Sequence, residues 1–241
     1  VKGLFTVVAY RLFHPKIVAL AVIYLVVGAL LAVYHLDHGA PLINRLSEPA
    51  LLSRLYFYDT HFFMRIGLLM LGAIMTYKIQ QEDALDIPLV MRVGRIRLAL
   101  LRTLCPTVVL LGVMGLSLLI NLHVYAFAPF SEGFVIHHGI VLVYGVYVVY
   151  YTALFDLVMN RFKTLYHGMM VVLIALLGDV LMDFDTPVHA MRVPLRMLLT
   201  FFPVSVASPE GFQLSVSPLI PGMLAIAYMS LSTLVFTRKR L

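Results

Sequence analysis

Apolar residues run along this chain in six blocks, and polar residues collect between them. A transmembrane helix needs roughly 20 mostly apolar residues. The blocks fall at 17–36, 62–77, 103–122, 139–159, 168–182 and 218–237, the second and fifth being short. The pattern predicts an all-α fold: a polytopic membrane protein with six transmembrane helices, organised as a single transmembrane domain over residues 1–241. Residues 1–16 are too few to cross. Val1, Leu4, Phe5, Val8 and Leu12 share one face at helical spacing, whereas Lys2, Thr6, Tyr10 and His14 lie elsewhere. Pro15 then interrupts the pattern, so residues 1–16 are expected to form an interfacial helix joined to the first span by an elbow. That first span exceeds the roughly 7–15 residues of a signal-peptide core and is expected to stay as an anchor. Between the fifth and sixth blocks, residues 183–217 contain an apolar run at 193–206, broken by Pro194 and Pro203. The run is too short to cross and too apolar for water. It predicts an outer re-entrant segment of short helices packed on protein.

Charge orients the spans. Lys2, Arg11, Lys16, Lys78, Arg92, Arg95, Arg97, Arg102, Arg161, Lys163, Arg238, Lys239 and Arg240 fall on one side, thirteen in all. Arg45, Arg54, Arg192 and Arg196 fall on the other, with Arg65 just inside the second span. No Lys or Arg occurs between Thr103 and Asn160, as expected for two spans joined by an outside loop. The positive-inside rule places both termini and the 78–102 segment in the cytoplasm of a cell-membrane protein.

Composition agrees with this class. Hydrophobic residues make up 61% and charged residues 12%, with a mean hydropathy of +0.96; soluble domains carry about 25% charged residues. The net charge of +6 follows from topology, and no basic run is long enough to track a nucleic-acid backbone. The single Cys105 excludes an intrachain disulfide and a cysteine-based zinc site, and reads as a small apolar residue near a helix start. Neither G-x-x-x-x-G-K-[ST] nor G-x-G-x-x-G occurs, so any driving nucleotide must be bound by another chain. H-E-x-x-H and G-x-S-x-G are also absent, which removes the common metalloprotease and serine-hydrolase signatures.

Histidine invites a catalytic or metal reading. His35, His38, His61, His123, His137, His138 and His189 lie on or near the outer side. A haem or metal site wants histidines deep within facing spans, whereas these sit at span ends or in loops. The favoured reading is interfacial rings, with no catalytic, cofactor-binding or metal-binding residue assigned. Ionisable residues inside spans are costly and default to functional hypotheses. Arg65 can snorkel outward, Asp156 is one turn from the inner end of the fourth span, and Asp179 lies near the outer end of the fifth. Asp179 is a candidate for a substrate path, set against a hydrated span end. Tyr144, Tyr147 and Tyr151 form a stripe with Phe155 one turn on. The stripe would line a path for an amphiphilic substrate or, as the favoured reading, pack helix on helix. Gly112 and Gly115 suggest close helix contact in the same way.

The 78–102 segment departs most from its surroundings. Glu82, Asp83 and Asp86 are set around Leu85 and Ile87, ahead of Pro88, and predict a short helix ended near the proline. Leu85 and Ile87 need an apolar partner. The basic half, 92–102, interleaves arginines with Val93, Ile96, Leu98 and Leu101. It predicts an interfacial helix feeding the third span, with guanidinium groups on lipid phosphates. A merely solvated loop would explain the arginines and not the acidic–apolar cluster.

The order of elements resembles the membrane subunit of an ABC-2 type transporter. An interfacial N-terminal helix precedes six spans. A cytoplasmic helix, with Glu82, Leu85, Pro88 and Arg92, lies between spans two and three. A short basic turn at 160–167 separates spans four and five, re-entrant helices precede span six, and a basic C-terminus follows. The resemblance covers the whole chain in layout, while its sequence motifs are weak. It implies two such subunits, as a homodimer or pseudo-dimer, each seated on a separate ABC-type ATPase that binds ATP and Mg. It also implies that Glu82, Asp83, Leu85, Asp86, Ile87 and Pro88 form the main coupling helix, that Arg161 and Lys163 make a minor contact, and that spans two and five border the path. The fifth span departs from the pattern in being short and acidic at its outer end (Asp179, Asp183, Asp185). Members export peptides, drugs, lipids or polysaccharides; small size and aromatic spans suggest an amphiphilic peptide or drug. Two other classes remain open: a membrane-embedded haem or metal enzyme using the outer histidines, and an immunity or sensor protein that binds a peptide without moving it.

Overall fold

A computed structural model of the chain describes residues 11–46, 61–81, 94–126, 138–183, 204–208, 211–214 and 219–238. Six helices account for most of them: α1 (Pro15–Leu46), α2 (His61–Gln80), α3 (Arg95–Ala126), α4 (His138–Phe162), α5 (Leu165–Asp183) and α6 (Leu219–Arg238). The first five apolar blocks lie wholly inside α1 to α5, and the sixth coincides with α6 to within one residue. Among the described residues, three stretches are long and apolar enough to cross a membrane: Pro15–Tyr34, Arg95–Asn121 and Leu219–Arg238. Ile66–Gln80 and Leu165–Leu176 are apolar but shorter. The chain is thus a helical membrane protein.

Local chemistry sets several helix ends. Arg11 and Leu12 are helical, Phe13 turns, and α1 begins at Pro15. Proline suits a first helical position because its missing N–H would have no partner there. His14 caps the helix: its Nδ1 accepts from the Lys16 amide at 3.4 Å and its carbonyl from the Ile17 and Val18 amides at 2.8 and 3.1 Å. The expected elbow therefore exists over the residues described; residues 1–10 of the expected interfacial helix lie outside them. At the end of α4, Lys163 takes the left-handed conformation (φ 56°) and its amide bonds the Met159 carbonyl at 2.8 Å. This is an αL cap on a residue other than glycine.

Two helices are central. α2 packs against α1, α3, α4 and α5, and α4 against α2, α3, α5 and α6. One core cluster joins Leu69 and Ala73 of α2 to Tyr147, Tyr150, Tyr151, Ala153, Phe155 and Met159 of α4, with Val172 and Ala175 of α5 and Ala225 of α6. A second joins Leu68, Leu71, Met75 and Ile79 of α2 to Leu12, Ile17, Leu110 and Val148. Lipid tails are as apolar as leucine, so these helices associate through close packing rather than through exclusion from water. Small residues make that possible where α2 is crossed. A Cβ on Gly67 would lie 2.7 Å from the Tyr24 ring of α1, and one on Gly72 3.1 Å from Leu110 of α3. The outer faces stay apolar, as at Val22, Ile23, Val26 and Leu30 of α1 or Met223 and Ile226 of α6, which suits contact with lipid.

Four expectations change. First, the basic half of the 78–102 segment is helical and feeds the third block as expected, but its helix starts at Arg95 rather than at Arg92. α3 begins at Arg95, after Gly94 in a left-handed conformation (φ 85°), and runs unbroken into the third apolar block. Glycine reaches that conformation without a Cβ clash and so allows a sharp entry. Second, Arg102 does not rest on headgroups: it is buried, with its guanidinium 4.8 Å from the centre of the Phe236 ring. Third, Gly112 and Gly115 make no close helix contact, since a Cβ on either would meet nothing within 4 Å. Fourth, residues 204–208 and 211–214 of the 183–217 segment are not helical. Val204–Ser208 (β1) and Gly211–Leu214 (β2) form an antiparallel pair, with Val204 opposite Leu214 and Ser208 opposite Gly211. The alternation Val204-Ser205-Val206 favours a strand.

Gly67→Val should lower the unfolding midpoint of the detergent-solubilised chain, with a stability loss of about 1–3 kcal/mol from overpacking. Gly112→Val, facing open space, should leave the midpoint unchanged. Thermal unfolding followed by circular dichroism reads both.

Candidate functional site: a buried carboxylate shared by four helices

The last turns of α2, α4 and α6 and the first turns of α3 and α5 meet at one end of the bundle, and there the apolar interior gives way to a polar cluster. Asp156 of α4 lies at its centre, 2% exposed. Three side chains from three other helices donate to it. Gln80 Nε2, on the last residue of α2, reaches Oδ1 at 2.6 Å and the Asp156 carbonyl at 3.2 Å. Thr103 of α3 donates to Oδ2 at 2.7 Å, and Ser232 of α6 to the same oxygen at 2.5 Å. Asn160, one turn beyond Asp156, donates through Nδ2 to Ser232 Oγ at 2.6 Å. Its own Oδ1 is buried without a hydrogen-bond partner among the described residues.

Each donor is placed by its helix. Thr103 is buried and one residue past Arg102, and its hydroxyl also reaches the Ala99 carbonyl at 3.4 Å. Pro106, inside α3, has no N–H to give the Arg102 carbonyl, so the helix is locally relieved of one bond beside the cluster. Ser232 sits one turn before Phe236, whose ring carries the Arg102 guanidinium. The Asp156 carboxyl of α4 and the Arg102 guanidinium of α3 are thus both buried at this end of the bundle. Hydrogen bonds to a charged group contribute about 1.5–3 kcal/mol each, which is what an isolated buried carboxylate needs to offset the loss of water.

Two more arginines work at this end as helix caps. Arg11 is buried and its Nη1 donates to the Ile79 carbonyl of α2 at 2.9 Å. Arg95 Nη1 donates to the Thr237 carbonyl of α6 at 2.9 Å. Helix C-termini leave carbonyls unpaired and carry partial negative charge, so a guanidinium satisfies both. The thirteen basic residues read from sequence on one side thus include three that bind other helices, Arg11 and Arg102 in the interior and Arg95 at the surface.

The sequence-assigned site residues fare differently. Glu82, Asp83, Leu85, Asp86, Ile87 and Pro88 lie outside the described residues. Arg161 and Lys163 are exposed at the turn between α4 and α5, where Phe162 stacks on His167 at 4.3 Å and Thr164 contacts His167 Nδ1. Tyr147 and Tyr151 are buried in the core with Tyr150 and Phe155; Tyr150 and Tyr151 meet edge-on at 4.9 Å, and Tyr150 lies 5.7 Å from Tyr228 of α6. Tyr144 belongs to α4 and Asp179 to α5, but their side chains lie outside the described residues, as do those of His35, His38, His61 and His138. Among the described residues no three of His, Cys, Asp and Glu come together as metal ligands. No family model, curated protein or solved structure matches the chain.

Asp156 is legible in the sequence as an ionisable residue in a span, one turn from its end. Gln80, Thr103, Asn160 and Ser232 each look ordinary alone. Their signal was a shared level: all fall near the same expected ends of their spans. Asp156→Ala should destabilise the chain by about 3 kcal/mol, because three donors lose their acceptor. A triple replacement, Asp156→Leu with Thr103→Val and Ser232→Ala, should recover most of that loss. Denaturant unfolding in mild detergent reads the difference.

Proposed function

We propose that this chain is the membrane-spanning subunit of an ATP-driven ABC-2 type exporter, present as a homodimer in the cell membrane with both termini cytoplasmic. In this reading all six helices cross, residues 82–88 dock on a separate ABC-type ATPase that binds ATP and Mg, and Arg161 and Lys163 make a smaller contact at the same level. The transported substrate is an amphiphilic peptide or drug, and this chain carries no ATP hydrolysis of its own. Asp179 is the candidate polar group on the path. The buried Tyr147 and Tyr151 serve helix packing in the described arrangement, and would reach the path only on a shift of α4.

One observation supports the reading above the others. The docking segment is rooted at both ends in the same buried cluster: α2 ends at Gln80, α3 enters through Arg95 to Thr103, and Gln80 and Thr103 share Asp156. A push on the segment is therefore delivered to α4 and α6 rather than lost in a loop. Closure of paired ATPases would then shift helices past one another, a usual form of such transitions.

Affinity purification of the chain from its native membrane should bring down an ABC-type ATPase in a stable complex. Reversing charge at Glu82, Asp83 and Asp86 together should cut its yield at least about tenfold, the loss expected when rim charges meet like charges across an interface. Arg161→Glu should reduce it less. A chain that stays alone and active, or a triple reversal that leaves the complex intact, rules the proposal out.

A further inference from the structure

The Asp156 cluster has one contact unlike the rest. Thr103 and Ser232 are almost wholly buried and lie well inside α3 and α6, where backbone bonds on both sides hold them. Gln80 is the last residue of α2, is only half-buried, and is followed by the exposed Gln81. It nevertheless makes two bonds to Asp156, one to the carboxylate and one to the main-chain carbonyl. A hydrogen bond at a helix end with water within reach can be exchanged for water at small cost, whereas a fully buried one leaves an unsatisfied group. Nor is α2's other tie at this level equally exposed: Arg11 reaches the Ile79 carbonyl in a buried bond.

We propose that Gln80 is a latch, a positioning residue whose release from Asp156 lets the tip of α2 swing away from α4 while Thr103 and Ser232 keep α3, α4 and α6 together. Asp156 is then the fixed post and Gln80 the moving hook. The amide is suited to the part. It donates to a carboxylate without adding a charge, so opening leaves no unpaired ion on α2. A glutamate at position 80 would repel Asp156, and a methionine would fill the same space without bonding. The neighbours that bear on the latch are Thr103 of α3, Ser232 of α6, Asn160 of α4 and the guanidinium of Arg102; none of them sits on α2. The latch itself is a property of this chain. Only its control by ATP rests on the exporter reading.

The test places spin labels at two exposed positions, Gln81 at the end of α2 and Leu234 on α6, in a Cys105→Ala background reconstituted in nanodiscs, and measures their separation by pulsed dipolar spectroscopy. On the chain alone, Gln80→Met should broaden the distance distribution and lengthen its mean by roughly 5 Å, the scale of a one-turn helix shift; Gln80→Glu should do so further. Ser232→Ala, which removes a donor to the same carboxylate from α6, should leave the distance as in the parent. Equal opening in the Ser232 variant, or no opening with Gln80→Met, overturns the latch. In the complex with the ATPase, a non-hydrolysable ATP analogue should produce the Gln80→Met distance in the parent chain. If a complex forms and the distance stays put, ATP control of the latch fails while the exporter reading stands. If no complex forms, that reading fails while the measurements on the chain alone still decide the latch.

Discussion

A carboxylate held away from water inside a bundle of apolar helices is the constraint around which this molecule is arranged. Its burial is costly unless every lone pair finds a donor. Those donors come from helices far apart in sequence: Gln80 and Ser232 are each 76 positions from Asp156, and Thr103 is 53. Meeting that demand fixes the relative height of α2, α3, α4 and α6 at one end of the bundle. Apolar packing alone would leave the helices freer to slide, because one leucine surface fits lipid about as well as it fits another helix.

Around this point the packing divides the work. α2 carries glycines and alanine where its neighbours press closest, and larger side chains where they fill space between two core clusters. α4 offers a run of tyrosines that bury large area and interlock edge to face, an arrangement that favours one geometry over near alternatives. Arginines close the helix ends at the same level, two on carbonyls and one over a phenylalanine ring.

Much of the architecture was legible along the chain because it depends on local pattern. The apolar blocks match the helices closely, and Pro15 marks a real boundary. The misreadings share a cause. Arg102, Gly112 and Val204–Val206 were each judged by composition, and each depended on what stood opposite. An arginine near a span end is free to snorkel unless a ring and a cluster meet it. A small-residue pair suggests close packing unless its face is turned outward. A valine-rich stretch in an apolar run reads as helix unless a second strand pairs with it.

What the sequence determined by itself was the class, a helical membrane protein: apolar runs of bilayer length and few charged residues. These follow from solvation, which acts residue by residue. The tertiary structure alone decided that Asp156 is an interior anchor, that Gln80 is its half-buried partner, and that Arg11, Arg95 and Arg102 each bind another helix of the bundle. Hydrogen bonds require partners within about 3 Å, and no periodicity in one helix reports what another helix brings to it.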